Sequence, residues 1–163
     1  RKAYAAVSDE FAKTTGEAEQ LRGQLRQLVD RDAAAYDQVM NAYKLPKNTQ
    51  DEKQRRQAAI DRALLDAAVV PLETARAAVK VIRLARRAAE AGNKNAVADA
   101  GVASLLGEAA LRGAVYNVEI NVNALANRDA GKALSKEGRE LDRQGSVEAA
   151  GAARAVGARL APA

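Results

Sequence analysis

Apolar residues recur three and four apart through most of this chain, the spacing that places them on one face of a helix. In the first segment Phe11, Ala18, Leu21, Leu25, Leu28, Ala35, Val39 and Ala42 form such a face and predict one long helix from Ala3 to Tyr43. It should stop at Leu45-Pro46, because the residue before a proline is pushed out of the α region and proline cannot continue the hydrogen-bond ladder. Thr49 followed three residues on by Glu52 is a capping box, so a second helix is expected from there to Val70, where Pro71 breaks or kinks it. A third helix from Leu72 should end at Gly92 in a left-handed cap, and Asn93 or Asn95 can cap a fourth running to about Ala126. The last stretch, 127–163, is a weakly amphipathic tail in which Gly145-Ser146 reads as a break and restart before an Ala- and Arg-rich helix. With no strand-like alternation and no internal repeat, the predicted fold is all-α, a bundle of long antiparallel helices forming a single domain over 1–163.

Composition narrows the chemistry. Apolar residues make up 48% of the chain and aromatics only 3%, so the core must be built from Ala, Val and Leu in closely packed helices. There is no cysteine, which removes disulfides, thiolate ligands and thiol nucleophiles and suits a reducing compartment. There is also no histidine, which removes imidazole catalysis, Ser-His-Asp triads and His-ligated zinc. Proton transfer is left to Asp, Glu, Lys or Tyr. No segment approaches the roughly 20 apolar residues needed to cross a bilayer, so a soluble, cytoplasmic protein without a membrane partner is expected. The 26 basic and 21 acidic residues alternate along the helices and few aromatics are available for base stacking, so the net charge of +5 reads as solvated surface and no nucleic-acid partner is expected. The sequence opens on Arg1-Lys2 inside an apparent helix, without a Met, and upstream sequence is therefore expected.

One position breaks the apolar pattern. At about 100° per residue, Asp32 points almost the same way as Leu21, Leu25, Leu28, Val39 and Tyr43, where a leucine would ordinarily sit. Asp30 and Asp37 lie on the opposite, solvated side, and Met40 and Tyr43 read as packing residues. A carboxylate in an apolar seam loses hydration and has its pKa raised, the condition for a general base near neutral pH, and Tyr36 one turn on can donate to it. A buried structural aspartate satisfied by a neighbouring helix fits the same placement equally well.

A second group lies in Gly92-Asn93-Lys94-Asn95 and the helix after it. Asp99 falls in that helix's first turn, where the dipole favours a carboxylate, and Leu106, Ala110, Gly113, Asn117 and Asn121 continue its stripe. Asparagines in an apolar helix need partners if buried. The row can line a polar site or simply bond to neighbouring helices.

These residues occur in runs that resemble a known family. Leu28-Val29-Asp30-Arg31-Asp32-Ala33-Ala34-Ala35-Tyr36, continuing through Leu45-Pro46-Lys47-Asn48-Thr49, then Val70-Pro71-Leu72, Gly92-Asn93 with Asp99, and Tyr116-Asn117-Val118-Glu119-Ile120-Asn121 resemble the formimidoyltetrahydrofolate cyclodeaminase and methenyltetrahydrofolate cyclohydrolase family, over about Arg1 to Leu125. The resemblance implies a small all-helical enzyme of one-carbon metabolism acting on a tetrahydrofolate derivative, commonly a homodimer, with the residue matching Asp32 catalytic. Asp99, Asn117 and Asn121 become expected substrate-binding residues, with Tyr36 and Lys44 added. Lys47, Arg55 and Arg56 join Lys44 as candidates for the folate's glutamate tail. The family normally carries a preceding helix with a Gly-rich start, which this sequence lacks.

Both reactions of that family pass through a tetrahedral carbon bridging N5 and N10 of the folate, and neither is expected to need a cofactor or metal. The expected activity is the cyclohydrolase, since no fused formimidoyltransferase accompanies the sequence. The alternative is the ammonia-releasing cyclodeaminase. A non-catalytic helical scaffold is a weaker reading.

Overall fold

The computed structural model describes residues 8–161 and contains four long helices. These are α1 (Ser8–Tyr43), α2 (Gln50–Ala91), α3 (Val97–Asn123) and α4 (Lys132–Leu160), with short 3-10 turns at Lys94–Ala96 and Arg128–Gly131. Among the described residues there is no strand, as the absence of alternating apolar positions requires. The expected start of α1 at residues 3–7 lies outside the described residues.

Successive helices run antiparallel and α2 is the hub. α1, α3 and α4 each pack along it, and α3 and α4 pack on each other. Cross-helix bonds give the register: Arg31 with Glu73 and Arg87 with Glu10 tie α1 to α2, Arg76 with Glu137 and Arg86 with Glu148 tie α2 to α4, and Glu119 with Ser135 and Arg139 ties α3 to α4. Two apolar clusters fill the interior. One surrounds Ile60, Leu64, Leu72, Val118 and Val122. The other surrounds Val79, Ile82, Leu111 and Val115, and half-buried Leu141 packs on both. Fully burying Ile60, Leu72, Ile82 or Leu111 contributes about 1.5–3 kcal/mol each.

The capping box forms as expected, with the Glu52 amide donating to the Thr49 hydroxyl at 3.2 Å and the Thr49 amide to the Glu52 carboxylate at 3.1 Å. Three other expectations are corrected. Pro71 does not end a helix, because α2 runs unbroken from Gln50 to Ala91. The carbonyl that Pro71 leaves without its helical donor, that of Ala67, accepts instead from the side chain of Asn121. Gly92 caps α2 in an extended conformation, φ −74° and ψ −172°, with no left-handed turn. A Cβ there would meet the Ala88 carbonyl, and Arg159 of α4 donates to the last carbonyls, Ala89 and Gly92, at 2.9 Å each. Gly145-Ser146 does not interrupt α4, since Gly145 is buried at the contact with α3 where a Cβ would overlap Leu111. It is a packing glycine within the helix.

Candidate active site

α1 packs chiefly against α2, so its buried stripe is narrow, with Leu21, Leu28, Val39 and Ala42 inside. Beyond that stripe α1 and α3 face one another across a groove whose floor is α2, with Leu25 half-buried and Val29 exposed on its α1 wall. Asp32 lies on this edge and is exposed, which corrects the expectation of a carboxylate enclosed in an apolar seam. The helical wheel placed its azimuth correctly. A neighbour that covers only part of the stripe is why it stays in contact with water.

Asp32 opens into a cleft of about 430 Å³ lined by Leu25, Leu28 and Val29 of α1, Pro71 and Thr74 of α2, and Ala110, Ala114 and Asn117 of α3. The cleft lies where the two core clusters meet along α2. Two of the sequence-predicted residues therefore share a site, Asp32 and Asn117. The Asn117 amide donates to the Gly113 carbonyl at 3.1 Å, and its side-chain oxygen accepts nothing from the described residues, so it is free to accept from a ligand or a water. The Thr74 hydroxyl donates to the Val70 carbonyl at 3.3 Å, leaving its oxygen able to accept.

The other predicted residues lie elsewhere. Asn121 stands one turn beyond Asn117 with its amide bound to the carbonyls of Ala67 at 3.3 Å and Asn117 at 3.0 Å. Asp99 is on the same row of α3 but about 27 Å from Asn117 along the axis, so it cannot approach an atom held between Asp32 and Asn117. It lines a second, larger groove of about 740 Å³ between the first half of α3, the second half of α2 and α1, which shares Leu25 and Val29 with the cleft and is otherwise almost wholly apolar apart from Thr14, Arg22 and Arg26. Tyr36 is exposed and lines neither cavity, nor does it bond to Asp32. Lys44 lies in the α1–α2 turn, about 18 Å along the axis from Asp32. Of the other basic candidates, Arg55 pairs with Asp51, and Arg56 donates to the Tyr43 carbonyl and stacks over its ring.

Thr74 and Pro71 were not singled out as site residues by the sequence. The available signal was weak: Thr74 is a polar position one turn after a mid-helix proline on the buried stripe of α2. No cluster of three carboxylates that could hold a metal ion exists among the described residues.

The chain is an all-α, up-and-down bundle in which a carboxylate and an amide line one interhelical cleft. The profile of the formiminotransferase-cyclodeaminase family matches residues 1–140 of the chain, which therefore belongs to that family. It is 43% identical over 128 residues to the methenyltetrahydrofolate cyclohydrolase of Methylorubrum extorquens, covering 78% of this chain and 62% of that protein. It is 36% identical over 104 residues to the formimidoyltransferase-cyclodeaminase of Rattus norvegicus, covering 64% of this chain and 19% of that one. The crystal structure of formiminotetrahydrofolate cyclodeaminase from Thermotoga maritima superposes with a TM-score of 0.84 at 26% identity, over 97% of this chain and 75% of the other. The chain thus spans less than two thirds of the length of these curated relatives.

Proposed function

We propose that the protein is a methenyltetrahydrofolate cyclohydrolase, converting 5,10-methenyltetrahydrofolate to 10-formyltetrahydrofolate, with Asp32 as general base. The cleft that sets Asp32 and Asn117 on opposite walls carries this reading, in a chain 43% identical to a protein of that name. With the methenyl carbon between the two helices, Asp32 takes a proton from water as its oxygen adds to that carbon. The Asn117 side-chain oxygen orients the water. The protonated carboxyl then supplies N5 as the carbon–N5 bond breaks, and the hydroxyl proton leaves to solvent, giving the N10-formyl product and one net proton. While ionised, Asp32 also stabilises the cationic methenyl group. Hydrolysis of an amidinium carbon requires no redox group, and none is invoked.

The cyclodeaminase is the second reading, favoured by the similarity to the Thermotoga maritima fold. There N10 attacks the formimino carbon, ammonia leaves, and the same carboxylate moves the protons.

The assembly belongs to the same proposal. α3 presents Val102, Leu105, Leu106, Tyr116 and Ile120, each more than half exposed, on the side away from its buried face. A row of exposed apolar side chains on one helix face suits burial against a partner, and we assign it to a second copy of the chain in a homodimer. No helix of the described residues is long and apolar enough to cross a membrane, in keeping with a cytoplasmic enzyme.

The test is to follow loss of methenyltetrahydrofolate by near-ultraviolet absorbance and, in parallel, ammonia release from formiminotetrahydrofolate. Turnover of the first supports the cyclohydrolase and turnover of the second alone supports the cyclodeaminase. Silence in both overturns the enzyme reading.

A further inference from the structure

α2 passes through Pro71 as one continuous helix, although proline has no N–H to give to the carbonyl four residues earlier. That carbonyl belongs to Ala67, a buried residue of the core beneath α3, where water cannot readily replace the missing donor. The donor comes from another helix. The side-chain amide nitrogen of Asn121 on α3 donates to the Ala67 carbonyl oxygen at 3.3 Å and to the Asn117 carbonyl oxygen at 3.0 Å. Both partners are carbonyl oxygens and can only accept, so the orientation of this amide is fixed by its surroundings and both its N–H groups are spent.

The position of this bond matters for the cleft. Asn117 lies one turn before Asn121 on α3, and Thr74 one turn after Pro71 on α2. Pro71, Thr74 and Asn117 all line the cleft that holds Asp32. The bond therefore fixes the register of α3 on α2 beside the reacting position, using a carbonyl that only a mid-helix proline makes available.

We propose that Asn121 is a positioning residue, which holds Asn117 opposite Asp32 by serving the carbonyl orphaned by Pro71, and that it does not touch substrate. The assignment rests on reading the Asp32 cleft as the catalytic site.

Because Pro71→Ala gives α2 back the N–H that Ala67 needs, the proposal predicts a rescue. Asn121→Ala, Pro71→Ala and the double variant are compared by urea unfolding and by kcat and KM on methenyltetrahydrofolate. Alone, Asn121→Ala raises the unfolding equilibrium constant by about tenfold through an unsatisfied buried carbonyl. It lowers kcat by roughly ten- to a hundredfold through misplacement of Asn117, with KM little changed. Relative to Pro71→Ala, the same substitution costs at most about threefold in either quantity. A raised KM with no recovery in the double variant would mean that Asn121 touches substrate, and equal unfolding penalties in both backgrounds would mean that it does not serve Ala67. Either result overturns the proposal, as does a neutral Asn121→Ala. If the unmodified protein turns over neither folate, the catalytic reading fails by itself. The urea cycle still separates the two cases: a recovered penalty upholds the link between Asn121 and Pro71, and an unrecovered one removes it.

Discussion

Arg31 of α1 grips Glu73 of α2 through both terminal nitrogens, at 2.5 and 2.8 Å, and the residues that follow them in sequence, Asp32 and Thr74, line the same cleft. The pair fixes the rotation of α1 about its own axis at the level of the proposed base. It also engages the guanidinium nearest in sequence to Asp32, so that among the described residues Asp32 has no ion-pair partner of its own.

The bridge should be visible in acid. The hydrogen bond from Arg31, with the charges of Arg31 and Arg76, holds the Glu73 carboxyl below its usual range, and the hydrogen bond from Arg76 does the same for Glu137. A carboxyl lowered in the folded state contributes stability that is complete above the ordinary value near 4.5 and is lost as pH falls through the folded value. Urea midpoints should therefore fall as pH is lowered below about 4.5, and Glu73→Gln or Glu137→Gln should flatten that slope. An unchanged slope in both variants would assign the acid loss to other groups.

Asp32→Asn should fold with an unchanged urea midpoint, because the residue is exposed and forms no ion pair among the described residues. Loss of a general base is expected to reduce kcat by about 10²–10⁴-fold with little change in KM. Full turnover by a well-folded Asp32→Asn protein would remove Asp32 from the chemistry.

Two glycine-to-alanine changes should move stability in opposite directions. Gly145→Ala forces a methyl into Leu111 and is expected to destabilise by about 1–3 kcal/mol. Gly23→Ala, on α1 with nothing within 4 Å of the added carbon, should stabilise by up to about 1 kcal/mol through helix propensity. Thermal and urea unfolding of the two variants measures both.

Leu106→Glu on the exposed stripe of α3 should convert a homodimer to monomers in sedimentation equilibrium, since it places a charge at the centre of an apolar contact. If the unmodified chain sediments as a monomer at every concentration, the stripe is covered by something other than a second copy.

What the sequence disclosed depended on whether the cause was local. The helix ends at Tyr43 and Gln50 follow from Pro46 and the Thr49–Glu52 box, which act within one turn, and both are where expected. Pro71 and Gly145 carry the same residue-level stop signals, yet each lies inside a helix, because Asn121 and Leu111 on α3 supply the reason for it. The azimuth of Asp32 was readable from periodicity, but its exposure was not, since that depends on how much of α1 its neighbour covers. The spacing of Asp99 and Asn117 on one helix already puts them about 27 Å apart, but which cavity each lines depends on the helices opposite. Thr74 was missed for a related reason: its significance comes from the two helices opposite it.

α1 is fastened along one flank only, by its apolar stripe on α2 and the Arg31–Glu73 and Arg87–Glu10 bridges. Its backbone amides should exchange with deuterium well before those at the centre of α2, which is packed on three sides. The proposed base thus rides on the most loosely held rod of the bundle. A ligand spanning Asp32 and Asn117 would act as a clasp between α1 and α3, and slower exchange along α1 would report its arrival before any bond is broken.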